Sequence, residues 1–188
     1  MKHLSRVLLC FSALAVADAQ AENLFFNGSF ELGKCGYSFD RFYRPKVNPK
    51  LESHLPAIDP GTKSEGKVSL RIDNPFGEEY RLQCRDFLLA DAEIHVSFQA
   101  KGSGAVNAQT DFRAPGKPLN LRGKYCRLTP EWKKYEFSFR TGKDQGGGYM
   151  LRFERQPGDK GSIWLDDIRV SVADRGDQYS GLEAGVEP

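Results

Sequence analysis

The stretch Ile94-His95-Val96-Ser97-Phe98-Gln99-Ala100-Lys101, followed by Gly102-Ser103-Gly104, decides the fold class. Its apolar side chains fall at every second position, the period of a half-buried strand; a helix would space them three and four apart. The glycines mark a tight turn, and Ala105 to Arg113 runs extended again, so the segment reads as two strands joined by that turn. The same period recurs along the chain. Tyr135, Phe137 and Phe139 alternate with Lys134, Glu136, Ser138 and Arg140. Gly146-Gly147-Gly148 leads into a strand through Leu151 and Phe153, and Pro157-Gly158-Asp159 turns the chain into Ser162 to Val172. Earlier strands fit Asn23 to Glu31, Val68 to Asp73 and Tyr80 to Leu88. No segment sustains a 3.6-residue apolar stripe, and 19 glycines with 10 prolines suit many turns. The expected class is all-β, a two-sheet antiparallel β-sandwich of the jelly-roll kind in which each strand gives one apolar face to a shared core.

Charge and the amino terminus bound the setting. The 188 residues carry 27 Lys+Arg against 25 Asp+Glu, a net charge of +2. That lacks the cationic footprint a phosphate backbone requires, so nucleic acid is excluded as an expected partner. Residues 1–21 have the form of a signal peptide: Lys2, His3 and Arg6, then the apolar run Val7 to Val16, then Ala19-Gln20-Ala21 as a cleavage site. A membrane span needs about 20 apolar residues, roughly twice that run. The expectation is a secreted protein, or one held at the cell surface or in the periplasm. Residues 22–173 form the sandwich, and 174–188 a polar tail or a linker to further domains. Cys35, Cys84 and Cys126 remain after Cys10 leaves with the signal, enough for one disulfide and one thiol.

Two long segments break the alternation. Lys34 to Gly66 holds Pro45, Pro49, Pro56 and Pro60, and Ala114 to Tyr125 is rich in Pro, Gly and Lys. Loops of that length in a compact domain commonly face a ligand. The first carries Tyr37 and Tyr43 among basic residues, rings suited to stacking on sugar. If Ile94, Val96 and Phe98 point inward, Gln99 points outward, and the same phase turns Gln109, Asp111, Arg113 and Arg152 out as well. Together on one concave sheet these would supply the donors and acceptors that sugar hydroxyls need. The alternative is an ordinary solvated sheet face. Trp132 reads as a packing residue at the head of a strand.

Two acids stand apart. Alternation places Asp166 on the face of Trp164, Ile168 and Val170, and a carboxylate taken out of water needs a cation or several donors. Glu31, with carbonyls near Ser29 and Thr62 to Lys67, could join Asp166 in a Ca²⁺ cage of oxygens. One bulge would exchange Asp166 with Asp167 on that face. The alternative is solvation, or pairing with arginine.

Four blocks in order resemble carbohydrate-binding modules of the cellulose- and xylan-binding type, which share a galactose-binding-like jelly roll. They are Asn23-Leu24-Phe25-Phe26-Asn27-Gly28-Ser29-Phe30-Glu31, Ser64-Glu65-Gly66-Lys67-Val68-Ser69-Leu70, the strand from Ile94 to Gly102, and a closing half. The closing half joins Leu128-Thr129-Pro130-Glu131-Trp132-Lys133-Lys134-Tyr135 to Ile163-Trp164-Leu165-Asp166-Asp167-Ile168. The resemblance implies a non-catalytic module for a polysaccharide or oligosaccharide, a structural calcium, and the company of further domains. Gly36-Tyr37 stands where the family commonly has Gly-Trp, which implies a smaller stacking surface. Two other readings stay open: a structural or adhesive β-sandwich without a sugar ligand, and a small glycoside hydrolase. For the latter, Asp111, Glu131, Glu154 and Asp167 supply carboxylates in number but no motif.

Overall fold

The computed structural model describes residues 23–40, 56–75, 77, 80–88, 90–112, 120–143 and 147–174. Among them the chain forms ten strands: β1 (Tyr37–Asp40), β2 (Ala57–Asp59), β3 (Ser69–Asn74), β4 (Tyr80–Leu88), β5 (Glu93–Gly102), β6 (Ala105–Phe112), β7 (Asn120–Arg127), β8 (Lys133–Arg140), β9 (Gly147–Arg155) and β10 (Gly161–Asp174). They pair antiparallel into two five-stranded sheets. The front sheet has the order β1-β4-β9-β6-β7 and the back sheet β2-β3-β10-β5-β8, so the last two strands hold the two central places.

Alternation builds the core as expected. Leu82, Val106, Ala108, Leu151 and Phe153 face in from the front sheet, and Leu70, Ile72, Ile94, Val96, Phe98, Ile163 and Leu165 from the back. Phe98 links the layers, edge-on to Phe153 at 5.0 Å and stacked on Tyr135 at 5.6 Å. The expected all-β sandwich is the fold.

Several expectations change. The turn at residues 102–104 does not pair β5 with β6. It carries the chain from the back sheet to the front sheet, with Gly102 N–H donating to Thr129 O and Leu128 N–H to Gly104 O. Arg155, 1% exposed, ties this arch to the β9–β10 turn by donating to the carbonyls of Ser103, Lys160 and Gly161. Asn23 to Glu31 is not a strand but a run of turns. Asn27 and Phe30 have φ of 53° and 58°, and the Asn27 side chain donates to the carbonyls of Gly33 and Cys35 while accepting from Leu32 N–H. Among residues other than glycine, Asn adopts this conformation with least penalty, and it outweighed the apolar alternation beside it. The run lies along β10, with Leu24 N–H on Val170 O and Ile168 N–H on Gly28 O, and any Cβ at Gly28 would stand 1.9 Å from Ile168 O. Lastly, the segments read as long loops contain β1, β2 and most of β7. Cys35 and Cys126 are both free, so the expected single disulfide between mature cysteines does not form with either. Residues 1–22 and 175–188, with the expected signal peptide and nearly all of the tail, lie outside the described residues.

Candidate functional site

The outer face of the front sheet is built in tiers by strand register. Tyr125 (β7), Asn107 (β6), Glu154 (β9) and Arg81 (β4) lie opposite one another across the sheet, and Gly123, Gln109, Arg152 and Gln83 form the next tier. Glu154 is the hub. Its Oε1 is 2.7 Å from Arg81 Nε and 4.0 Å from Arg152 Nη1, and its Oε2 accepts from Gln109 Nε2 at 2.6 Å. Gln109 Oε1 accepts in turn from Asn107 Nδ2 at 3.1 Å. Gln83, Gln109, Arg152 and Glu154 keep between 4% and 9% of their exposure, so this is a polar floor and not a solvated surface. Burial at that depth is offset by the ion pairing of Glu154 with Arg81 and Arg152 and by the Gln109 hydrogen bond; Arg81 Nε and Glu154 Oε1 meet as charges and not as an aligned hydrogen bond. Gly123 is required here: a Cβ would fall 2.2 Å from Ala108 O and 2.6 Å from Gln109 Cβ. Beside that bare position Tyr125 stands 60% exposed at the rim.

The expected contact residues divide. Gln109 and Arg152 come together, and Asp111 continues the same face by register, opposite Met150, its side chain outside the described residues. Tyr43 and Arg113 lie outside them altogether. Gln99 is on β5 in the back sheet, opposite Asp166 and Lys134, because the β5–β6 arch changes sheets; the single shared face is corrected to two. Tyr37 is turned to the core, stacked on Phe30 at 4.9 Å with its hydroxyl donating to Asn27 O, and is not a loop platform. The sequence reading missed Tyr125. Its signal was the alternation of Leu121, Gly123 and Tyr125 against Arg122, Lys124 and Cys126, interrupted by the glycine.

On the back sheet, Asp166 shares the outer face with Trp164, while Ile168 and Val170 face the core. A bulge between Asp166 and Arg169, with Asp167 at φ 44°, shifts the phase. Asp166 is nevertheless wholly buried, because residues 64 and 65 fold over it. Its Oδ2 accepts from Ser64 N–H, Ser64 Oγ and Glu65 N–H, and its Oδ1 from Asp167 N–H. Glu31 reaches the same strap, accepting from Lys67 and Val68 N–H, and a Cβ on Gly66 would meet its carboxylate at 2.3 Å. The two acids therefore converge as expected, but every partner named is an N–H or O–H donor where Ca²⁺ requires oxygens. Among the described residues no group of three or more His, Cys, Asp or Glu is placed to hold a metal. As arranged, these donors clamp the 64–68 strap onto the two acids. Arg169 flanks the clamp, 2.5 Å from Asp167 Oδ1 and 3.3 Å from Glu65 Oε1, and burial followed by Asp167 pushes the Glu65 carboxyl above its ordinary value.

The carboxylates considered for hydrolysis are dispersed. Glu154 and Asp111 are on the front outer face but four register positions apart, about 13 Å along the strands, while Asp167 is on the back sheet beside Arg169 and Glu131 lies just before β8. No helix among the described residues is long and apolar enough to cross a membrane.

Two five-stranded antiparallel sheets packed face to face make a jelly-roll sandwich. In particular, the chain is similar to a Family 16 Carbohydrate Binding Module-2 (12% identity, TM-score 0.60, covering 79% of this chain and 99% of that one). It is also similar to TmCBM61 in complex with β-1,4-galactotriose, at 16% identity and a TM-score of 0.54, covering 81% and 99%. The enzymatically active domain of bacteriophage CBA120 tailspike protein 4 matches at 11% identity and a TM-score of 0.66, over 80% of this chain but 21% of that one. At these identities the likeness is one of fold. No protein-family model and no curated protein matches the sequence.

Proposed function

We propose that this protein is a secreted, non-catalytic carbohydrate-binding module that takes a polysaccharide or oligosaccharide chain on the outer face of its front sheet. The observation that carries the reading is the bonded polar floor around Glu154 with Tyr125 exposed at its rim. A sugar ring offers hydroxyls at its edge and C–H groups on its face. Asn107, half-buried, can meet the hydroxyls, and Tyr125 can stack on the C–H face. Arg81, Gln109, Arg152 and Glu154 are too covered to be the main contacts; they form the floor on which Asn107 is held through Gln109. The sugar-binding modules among the neighbours support this reading, and the scattered carboxylates favour binding over hydrolysis.

A groove of this kind exchanges sugar–water for sugar–protein hydrogen bonds, so affinity belongs in the micromolar to millimolar range, about −8 to −4 kcal/mol. Calorimetry with xylan, β-glucan and mannan oligosaccharides tests it. Heat that saturates with one of them and a Kd at least tenfold weaker in Tyr125→Ala are expected. Absence of heat with all of them, or a Kd unmoved by Tyr125→Ala, removes the front face as the site. Structural calcium at Glu31 and Asp166 is a separate proposal, supported by their convergence on one strap. It requires the strap to turn carbonyls toward them, and chelation decides it. Export, and a linker role for residues 174–188, rest on the sequence pattern alone; amino-terminal sequencing of the exported protein tests the first.

A further inference from the structure

Both tryptophans of the chain lie on the back sheet's outer face, away from the polar floor. Register sets Arg71 (β3), Trp164 (β10) and Lys101 (β5) opposite one another, with Trp132 beyond, just before β8. Lys101 Nζ is 5.5 Å from the centre of the Trp164 ring and 5.9 Å from that of Trp132. The Arg71 guanidinium is 5.5 Å from Trp164. Cations are drawn to indole faces, so the row alternates cation and ring. Trp164 cannot turn, because its Nε1–H donates to Asp59 Oδ2 at 2.8 Å.

The charges in this row are not equally met. Asp59 is spent within the protein, on Trp164 and on the N–H groups of Gly61 and Thr62. Arg71 has Asp73 at 2.9 Å, and Lys134, on the neighbouring strand, has Glu136 at 3.3 Å. Lys101 has ring contacts but no ion pair with a carboxylate among the described residues, and Glu131, in the turn before Trp132, is solvent-exposed. An ammonium between two half-exposed indoles, without an acid of its own, complements an anion that also has an apolar face. Strands lie about 4.8 Å apart, so rings two strands apart are separated by about 10 Å, enough for a sugar ring between or across them.

We propose that Trp132, Lys101 and Trp164 form a second binding site, for the uronic-acid residues of an acidic polysaccharide. The uronate carboxylate pairs with Lys101 and the C–H face of its ring packs on indole. The site is independent of the front face and does not rest on the reading given to it.

Tryptophan fluorescence reports this site alone, since the chain has no other indole. Titration with trigalacturonate is expected to give a saturable change that weakens as salt is raised. Lys101→Met should raise the Kd at least tenfold, Lys101→Arg should retain binding, and Tyr125→Ala should leave it unmoved. Thermal melts of each variant separate lost binding from lost folding, and Trp132→Phe, keeping a smaller ring, gives a second reading by the remaining indole. Four results overturn the proposal: no change up to about 10 mM ligand, weaker than specific binding warrants; the same response to neutral β-1,4-galactotriose; the same response to acetate; or binding that survives in folded Lys101→Met.

Discussion

The two outer faces of the sandwich solve the same problem in opposite ways. Each strand leaves alternate side chains outside the core, and the front sheet fills that face with amides and charges bonded to one glutamate. The back sheet instead covers one acid with a strap and spreads its rings and cations in the open. The first arrangement is stiff because its members cannot be removed singly. In the second, most members are replaceable, and the clamp at Asp166 is the exception.

That contrast can be broken most sharply at the clamp. Asp166→Ala removes one acceptor from three buried or half-buried backbone N–H groups and from the Ser64 hydroxyl, at about 1–3 kcal/mol for each donor left unsatisfied. A loss of at least about 3 kcal/mol in urea unfolding is expected; a loss below 1 kcal/mol would mean that the strap finds water in its place. Next is Glu154→Ala, which takes the shared carboxylate from Arg81, Arg152 and Gln109 together. It should cost about 2–4 kcal/mol, and a double-mutant cycle with Gln109→Ala should show strong coupling, since the two act as one unit. Additivity there would dissolve the idea of a stiff floor.

The rim is the smallest stability effect and the largest binding effect. Tyr125→Ala should leave stability within about 0.5 kcal/mol, as exposed substitutions do, while weakening a glycan about tenfold. Acid unfolding gives a finer comparison. The Trp164 indole N–H, foremost, holds the Asp59 carboxyl below its ordinary value against some desolvation. A carboxyl so lowered contributes stability that is full above its unfolded-state value and is lost as pH falls through the folded one. Asp59→Asn should therefore narrow the gap from wild type as pH drops below about 4, the unfolded range of aspartate; a gap constant with pH would show that the bond carries no linkage. Finally, if calcium is bound, excess chelator lowers the thermal midpoint and added Ca²⁺ restores it by mass action. A midpoint indifferent to both leaves Ser64, Glu65 and Asp167 as the whole support of Asp166.

Much of this was legible in the residues. Alternation located β3 to β6 and β8 to β10, because those strands keep their apolar side chains on one face and polar ones on the other. It failed where local chemistry competes with period: at Asn27-Gly28, where left-handed backbone makes a turn run; at Gly123, which hides β7; and at Asp167, whose bulge reverses the phase of the strand behind it. The site was half legible for a further reason. Alternation tells which side chains share a side of their own strand, but not which sheet that strand joins. Gln99 and Gln109 have the same outward phase and finish on opposite sides of the molecule, because an arch and a hairpin have the same glycine signature.

The placement of β9 and β10 at the two sheet centres has a consequence for synthesis. Before Gly147 leaves the ribosome, the chain can make only the outlying pairs β1–β4 and β6–β7 in front, and β2–β3 and β5–β8 behind. Each pair then presents an unfilled edge where a central strand belongs, and the amino-terminal turns wait for a partner more than a hundred residues downstream. Such a nascent chain is open to pairing with its neighbours on the polysome, and a product truncated ahead of β9 would carry four exposed edges at once. Completion is then a single late event, with two strands entering two slots.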